Sequence, residues 1–381
     1  MKLQSYILFF LLFGLLPDLY IVLLWPSVAA VLLCLPTLAA LVSLILIATG
    51  VRYTESLRIF SYLIFLFELP KFVFLLFSAV GRYLLGIPAA PAGGIALAVG
   101  AGVSAFFAYL IFYSSRHLKV HALELSFEGL PRPFDGLRVC QLSDLHLGSF
   151  GRKAAYVKQI VDTTLALKPD LILFTGDLVN FASEEADPYL PELARLQAPM
   201  GVYAIRGNHD YLLHGYNTGE KRIRDMERLL AMEQGLGWKL LLNSHVLLEK
   251  GGARIALAGV ENISSNPYFQ KMGGDLKKAL EGLPEGIFTI LLSHDPSHWR
   301  KDVRPLGSIA LTLSGHTHGL KYKTAGIRPS HWKLPHPSGL FDEQGSRLHV
   351  SKGLGSAFAF RLGGFPNIDI ITLKTLNPNL I

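Results

Sequence analysis

Leu137-Arg138-Val139-Cys140-Gln141-Leu142-Ser143-Asp144-Leu145-His146 begins as an apolar strand and ends in Asp-x-His. Four further stretches repeat this design. Asp170–Thr175 runs into Gly176-Asp177-Leu178-Val179-Asn180, and Gly201–Arg206 into Gly207-Asn208-His209-Asp210. Ile287–Leu292 runs into Ser293-His294-Asp295, and Ile309–Leu313 into Gly315-His316-Thr317-His318. Short apolar runs closed by Gly, Ser or Asp read as buried strands. Helical patterns at Lys153–Leu167 and Lys221–Gln234 lie between them. Alternating strand and helix predicts an α/β domain with buried sheets. In such folds ligands collect outside the carboxyl ends of the strands. All five polar segments fall there, which predicts one shared site.

The side chains suit metal ions. Asp144 and His146 are alternate residues just past a strand, so a loop can turn both onto one cation. Asp177 is a lone carboxylate whose two oxygens can bridge two ions, and Gly176 lets backbone crowd the site. Asn208 offers a carbonyl oxygen, and His294, His316 and His318 offer imidazoles. Mixed oxygen and nitrogen ligation without thiolate suits Mn, Fe or Zn, with manganese the leading choice. Two such ions activate a hydroxide and neutralise phosphoryl oxygens, the chemistry of phosphate ester or anhydride hydrolysis. His209, beside Asn208, is the candidate to protonate the leaving oxygen, with Asp210 expected to orient its imidazole.

The segments, in this order, resemble the calcineurin-like metallophosphoesterase superfamily: Asp-x-His, Gly-Asp, Gly-Asn-His-Asp, a lone His, and Gly-His-x-His. The resemblance covers roughly Lys119 to the C-terminus and implies a four-layer α/β/β/α sandwich. It implies that Asp144, His146 and His318 bind one metal and Asn208, His294 and His316 a second, with Asp177 bridging and His209 as general acid. The head of the chain, with the Asp144-Leu-His-Leu-Gly-Ser and Gly315-His-Thr-His-Gly stretches, is similar to the membrane-associated YkuE/YaeI-like branch. Some members of that branch cleave the pyrophosphate of a lipid-A precursor.

The chain before the site has a different solvent in view. Up to Tyr113 its charged side chains are Lys2, Asp18, Arg52, Glu55, Arg58, Glu68, Lys71 and Arg82. Four segments, Tyr6–Trp25, Ser27–Ala48, Ile59–Leu85 and Gly94–Tyr113, approach or exceed the roughly 20 apolar residues that cross a bilayer. The expected division is a four-helix transmembrane domain, residues 1–115, and a metallophosphoesterase domain, residues 116–381. Lys2, Arg52, Arg58, Arg116 and Lys119 fall on one side of a four-span arrangement, which predicts a multi-pass inner-membrane protein with a cytoplasmic catalytic domain. Glu68 and Lys71 share a helix face, Pro70 between them is expected to kink the helix, and Asp18 is their candidate partner. Such charges pair with one another or line a cavity. Gly94, Ala98 and Gly102 form a small-residue stripe suited to helix packing.

The whole chain has 381 residues, 17% of them charged, and a formal net charge of +7. No basic run interleaved with aromatics occurs, so nucleic acid is not the expected partner. A mild basic excess beside an anionic membrane fits better. Cys34 and Cys140 lie in an apolar segment and a core strand, and no disulfide is expected between them. Seven of the eight other histidines, His121, His214, His245, His298, His331, His336 and His349, read as structural or surface residues. Arg206 either touches a substrate phosphate or packs beside the site. Ile327–Leu340, with Trp332, Lys333 and His336, forms a groove wall, a membrane-facing loop or a plain surface loop. The leading expectation is a membrane-anchored phosphodiester or pyrophosphate hydrolase with a lipid-linked substrate. The competing readings are a nuclease or cyclic-nucleotide phosphodiesterase, and a catalytically silent membrane scaffold. Nothing in the sequence fixes an oligomeric state.

Overall fold

A computed structural model describes residues 10–151, 154–215, 218–265, 272–319, 335–343, 345–358, 360–362 and 364–376. Most of the loop Ile327–Leu340, Trp332 and Lys333 included, lies outside them. The chain divides into two compact units. One is Met1–Ser114 with Phe358–Phe360, and the other is Ser115–Ala357 with Arg361–Ile381.

In the first unit three helices are long and apolar enough to cross a membrane: Val28–Thr49 with 22 residues, Tyr53–Leu84 with 32 and Ala89–Arg116 with 28. At about 1.5 Å per residue each exceeds the roughly 30 Å hydrocarbon core. Four spans were expected. The described part of the first segment is the shorter apolar helix Leu12–Leu24, so three of spanning length stand among the described residues. The Ser27 hydroxyl caps the second segment by accepting from the Ala30 amide at 3.2 Å. Gly50 closes it in the left-handed conformation, φ 74°, which costs glycine little. Pro70 follows a π-turn at Ile64–Glu68, and each is a known source of departure from straight α-helix.

The buried charges of this unit find each other. Lys71 Nζ lies 2.5 Å from Asp18 Oδ1 and 2.8 Å from Glu68 Oε2, and 2.6 Å from Thr37 Oγ1. Asp18 is therefore the partner the sequence suggested. The small-residue stripe needs correction. Gly94 and Gly102 are exposed, with nothing within 4 Å of where a Cβ would sit. The packed face carries Ala92, Ala96 and Gly100, with Gly100 against the Pro70 carbonyl. Both sets repeat every fourth residue; a two-residue offset puts them on nearly opposite sides of a helix.

The second unit contains two six-stranded mixed sheets. The first has the order β1 (Lys119–Phe127), β12 (Asn367–Thr375), β2 (Arg138–Leu142), β3 (Leu171–Phe174), β4 (Val202–Ala204), β5 (Lys239–Leu240). The second has the order β10 (Gly339–Glu343), β11 (Ser346–Val350), β9 (Leu311–Ser314), β8 (Thr289–Leu292), β7 (Ala253–Gly259), β6 (Ser244–Lys250). β2 through β5 run parallel, as do β7, β8, β9 and β11.

The pleat assigns alternate residues to different cores. Cys140, Leu142, Ile172, Phe174 and Ala204 pack with Val157 and Ile160 of helix Ala155–Ala166 and Leu229 of helix Gly219–Gly235. Val139, Leu171, Leu173 and Tyr203 pack between the sheets with Leu257, Ile290, Leu292 and Leu313. Ala258, Leu291 and Leu348 face outward onto Ala279 and Trp299. The layers run helix, sheet, sheet, helix. Burial of each large aliphatic side chain contributes about 1.5–3 kcal/mol, so the strand ends are held by a stiff frame.

Candidate metal centre

The five polar segments all follow the carboxyl ends of parallel strands: β2, β3 and β4 in the first sheet, β8 and β9 in the second. The backbone there is unusual. Of nine non-glycine residues with positive φ among the described residues, five belong to the site: Asp144 (50°), His146 (46°), Asp177 (60°), His316 (69°) and His318 (52°). Such conformations cost about 1–3 kcal/mol each and persist only where the surroundings enforce them. Here the left-handed turns redirect side chains into one space. A Cβ on Gly176 would strike the Gly207 backbone, and one on Gly207 would strike Asp177. These two glycines let the β3 and β4 loops touch.

Three groups of candidate ligand atoms result: Asp144, His146 and His318; His146, Asp177 and His209; and Asp177, His294 and His316. Within each group the ligand atoms lie within 4.8 Å of one another. Asp177 Oδ2 is 3.5 Å from His146 Nε2 and 3.2 Å from His294 Nε2. His318 Nε2 is 3.8 Å from Asp144 Oδ1. Atoms that each sit about 2.0–2.2 Å from a common ion are separated by distances of this kind, and the two longer ones exceed ordinary hydrogen bonds.

The donor set fits metal ions on a second count. The Asn208 Oδ1, His294 Nε2, His318 Nδ1 and both His146 ring nitrogens are buried without a hydrogen-bond partner. Leaving such groups unsatisfied is costly. His294 Nδ1 lies 2.7 Å from the Thr175 carbonyl; donating its proton there turns the Nε2 lone pair inward, the usual arrangement behind a ligand histidine. Burial pushes the His146 imidazole down to about 3 and the His318 imidazole well down too, so both are neutral and able to coordinate. His294 behaves differently. Burial lowers it, but the Asp177 carboxylate outweighs that and raises it to about 10. Asp177 is correspondingly held well below the usual carboxylate range, against its own burial, by His294 and His209. Positive charge is favoured beside Asp177, whether a proton or a metal supplies it.

The hydrogen bonds revise one expectation. Asp210 does not orient His209. Its carboxylate accepts the amides of Asp177 (2.8 Å), Leu178 (2.8 Å), Val179 (3.3 Å) and Gly207 (2.9 Å). The reason is position: Asp210 sits in the middle of the short 3₁₀ turn His209–Tyr211, and its carboxylate reaches the β3 loop, where orphan amides converge. His209 is instead held by Asn180, whose carbonyl accepts from Nδ1 at 2.8 Å. The His209 amide in turn donates to Asp177 Oδ1 at 2.8 Å. Asn180 was visible in the sequence as the end of its motif, yet a backbone carbonyl carries no sequence mark. Two other contacts were missed. His214 lies with its ring centroid 5.0 Å from that of His209, and Asp295 Oδ2 faces His316 Nε2 at 3.7 Å. Arg206 is buried and reaches Glu233 at 3.3 Å, so it packs behind the site. Buried Arg361 donates to the carbonyls of Gly355 and Lys352, tying down the loop after β11.

Comparison with known proteins agrees with this geometry. Residues 137–320 match the calcineurin-like phosphoesterase family. The chain is 29% identical over 277 residues to the uncharacterized metallophosphoesterase YkuE of Bacillus subtilis, covering 69% of this chain and 90% of that one. It is 32% identical over 205 residues to a transmembrane protein with metallophosphoesterase domain from Danio rerio, covering 52% of this chain and 44% of that one. It is 28% identical over 313 residues to the UDP-2,3-diacylglucosamine pyrophosphatase LpxG of Chlamydia muridarum, covering 68% of this chain and 91% of that one.

Proposed function

We propose that this chain, which carries a calcineurin-like metallophosphoesterase domain of the membrane-associated YkuE-like branch, is a membrane-anchored phosphohydrolase that cleaves a phosphodiester or pyrophosphate bond in a lipid-linked substrate. The observation that carries the reading is the placement of Asp177 Oδ2 between His146 Nε2 and His294 Nε2. In this proposal Asp144, His146 and His318 hold one divalent ion, Asn208, His294 and His316 hold another, and Asp177 serves both. Manganese is the first choice, with iron or zinc as alternatives. When bound, the ions supply a nucleophilic water near neutral pH and offset the charge of the phosphoryl oxygens.

The remaining work belongs to side chains. His209 is half-buried, and its Nδ1 is engaged by Asn180. Its Nε2 is therefore the atom to deliver a proton to the leaving oxygen. Asp210 keeps the Asp177 and Asn208 loops in register through the hydrogen bonds its carboxylate accepts from four backbone amides, a positioning role in place of the orienting one. The substrate class draws on the apolar helices and on the diacylated substrate that the LpxG relatives' name states. With the three apolar helices spanning a bilayer in this proposal, Arg52 and Arg58 near one connection and Arg116 and Lys119 at and beyond the end of the last helix would fall on one side, and Arg82 on the other. That asymmetry supports a cytoplasmic catalytic domain.

The test is turnover by purified, metal-loaded full-length protein of an acylated nucleotide-linked pyrophosphate and its deacylated counterpart, beside bis-p-nitrophenyl phosphate. Preference for the acylated form is expected. Equal turnover of the two removes the lipid part of the proposal, and failure on all three removes the hydrolase.

A further inference from the structure

Away from the strand-end site, a second set of titratable groups meets where β1 and β12 of the first sheet face β11 of the second. His121 on β1 and Asp369 on β12 are register partners. His349 comes across from β11. Asp369 shares its face of β12 with Ile371 and Leu373, which line the core between the sheets. His349 alternates with Leu348 and Val350, which face the outer core. Two imidazoles and a carboxylate thus meet at one end of the layer between the sheets, beside buried Gln141, the register partner of Asp369. His349 and Asp369 are fully buried, at 0% exposure, whereas the His121 side chain is 48% exposed.

The hydrogen bonds fix where the lone pairs point. Gln141 Nε2 donates to the Ser314 carbonyl at 2.9 Å and to Thr175 Oγ1 at 3.2 Å. Its Oε1 must therefore accept, and it does so from His349 Nδ1 at 2.8 Å. That leaves His349 Nε2 as a bare lone pair. Burial lowers the His349 imidazole, which keeps it neutral. Nε2 then faces Asp369 Oδ1 at 3.6 Å, acceptor against acceptor, and neither His349 Nε2 nor Asp369 Oδ2 has a hydrogen-bond partner. Asn367 Nδ2 donates to Asp369 Oδ1 at 2.6 Å, and His121 Nδ1 lies 3.0 Å from the same oxygen. That contact with Asp369 raises the His121 imidazole, against burial and the opposing charge of Lys352, so positive charge is favoured at this carboxylate, whether a proton or a metal supplies it. The three candidate ligand atoms lie within 4.8 Å of one another. A buried lone pair turned toward a buried carboxylate is costly unless a cation joins them.

We propose that His121, His349 and Asp369 form a separate mononuclear site for a divalent ion of the zinc class. Two imidazoles and one carboxylate leave a fourth position for water, on the open side at His121. Gln141 behind His349 and Asn367 behind Asp369 supply the outer hydrogen bonds that hold ligands in place. The ion would clasp the edge of one sheet to the other. Gln141 also contacts Thr175 and Ser314, which precede Gly176 and Gly315, so the clasp braces two loops of the strand-end site.

Full-length protein in detergent, stripped with chelator and dialysed against Zn²⁺, provides the test by elemental analysis. His121→Ala removes an exposed ligand with little threat to folding. The proposal requires it to hold one equivalent less than wild type, whatever the strand-end site contributes. His349→Gln and Asp369→Asn must lose the same equivalent, whereas Asp177→Asn must keep it. Zn²⁺ should also raise the melting temperature of Asp177→Asn, and not that of the Asp177→Asn, His121→Ala double variant. Equal metal content in wild type and His121→Ala overturns the proposal. So does a loss confined to His121→Ala, which would mark an adventitious surface imidazole.

Discussion

The helices before Ser114 and the strand ends of the second unit both bury charged side chains, and they resolve the cost in opposite ways. Among the helices one ammonium, Lys71, reaches both Asp18 and Glu68, with Thr37 completing its shell. The cation is part of the chain. At the strand ends no Lys or Arg among the described residues pairs with Asp144 or Asp177, which face imidazoles instead. Arg361, whose charge is felt by Asp144, is committed to backbone carbonyls. A buried cluster that contains its own cation is a structural device. One that gathers lone pairs around carboxylates requires a cation from solution, and that requirement is what makes it a site.

Asp177→Asn breaks the second half of this contrast most severely. An amide keeps the shape but loses the charge that raises His294 and that both ions would share. The expected result is near-complete loss of activity together with metal from both positions, read by turnover and elemental analysis. Two retained equivalents with near-normal turnover would show that Asp177 does not bridge.

His209→Ala should separate holding metal from moving protons. Metal content is expected to stay at the wild-type level, while turnover of a poor leaving group falls roughly 10²–10⁴-fold, the range for a lost general acid. The loss should shrink with p-nitrophenolate, which hardly needs a proton. A uniform loss across leaving groups would give His209 another task.

Lys71→Met addresses the self-contained cluster. Removing one partner of a buried ion group typically costs about 3–5 kcal/mol, so the thermal midpoint in detergent should fall and membrane yield with it. Turnover of a soluble chromogenic ester per folded molecule should hold. Adding Asp18→Asn and Glu68→Gln should recover part of the midpoint. If it does not, the cluster serves more than helix packing.

Much of the catalytic unit was legible because the strands are short, apolar and terminated by residues with distinctive chemistry. Asp144, His146, Asp177, Asn208, His294, His316 and His318 fall on one edge because parallel strands share a direction. What the sequence withheld is of two kinds. Backbone acceptors such as Asn180 and Thr175 have no side-chain identity to read, and so Asp210 was paired with His209 when amides had claimed it. Contacts between sheets join residues far apart in the chain: His121, His349 and Asp369 have no motif around them, and only the register of β1 with β12 and the approach of β11 unite them. In the helices, composition marked apolar segments well, but the phase of a small-residue stripe depends on which face meets a neighbour.

The smallest expected effect on turnover concerns Arg206 and Glu233, a buried pair intermediate between the two clusters. The chain supplies the cation, yet the contact is long, with both guanidinium approaches to Glu233 Oε2 at 3.3–3.4 Å and Oε1 without a partner. Burial first, and then the negative charge of Asp210, push the Glu233 carboxyl up to about 8 against the pull of Arg206. The folded chain therefore holds this proton where the unfolded chain, with its ordinary value of 4.5, has released it. A raised acid of this kind contributes stability in full below about pH 4.5, and the contribution is lost as pH rises to about 8. Glu233→Gln imitates the protonated acid at every pH. With metal saturating throughout, the melting temperature of wild type minus that of the variant should fall between pH 5 and pH 8.5. A domain of this size moves by roughly 2–4 °C per kcal/mol, so the change in melting temperature is readily measured, while turnover should hardly respond. A constant difference across that range would mean that Glu233 is ionised throughout and Arg206 a full partner, which would place this pair with the self-contained cluster of the helices.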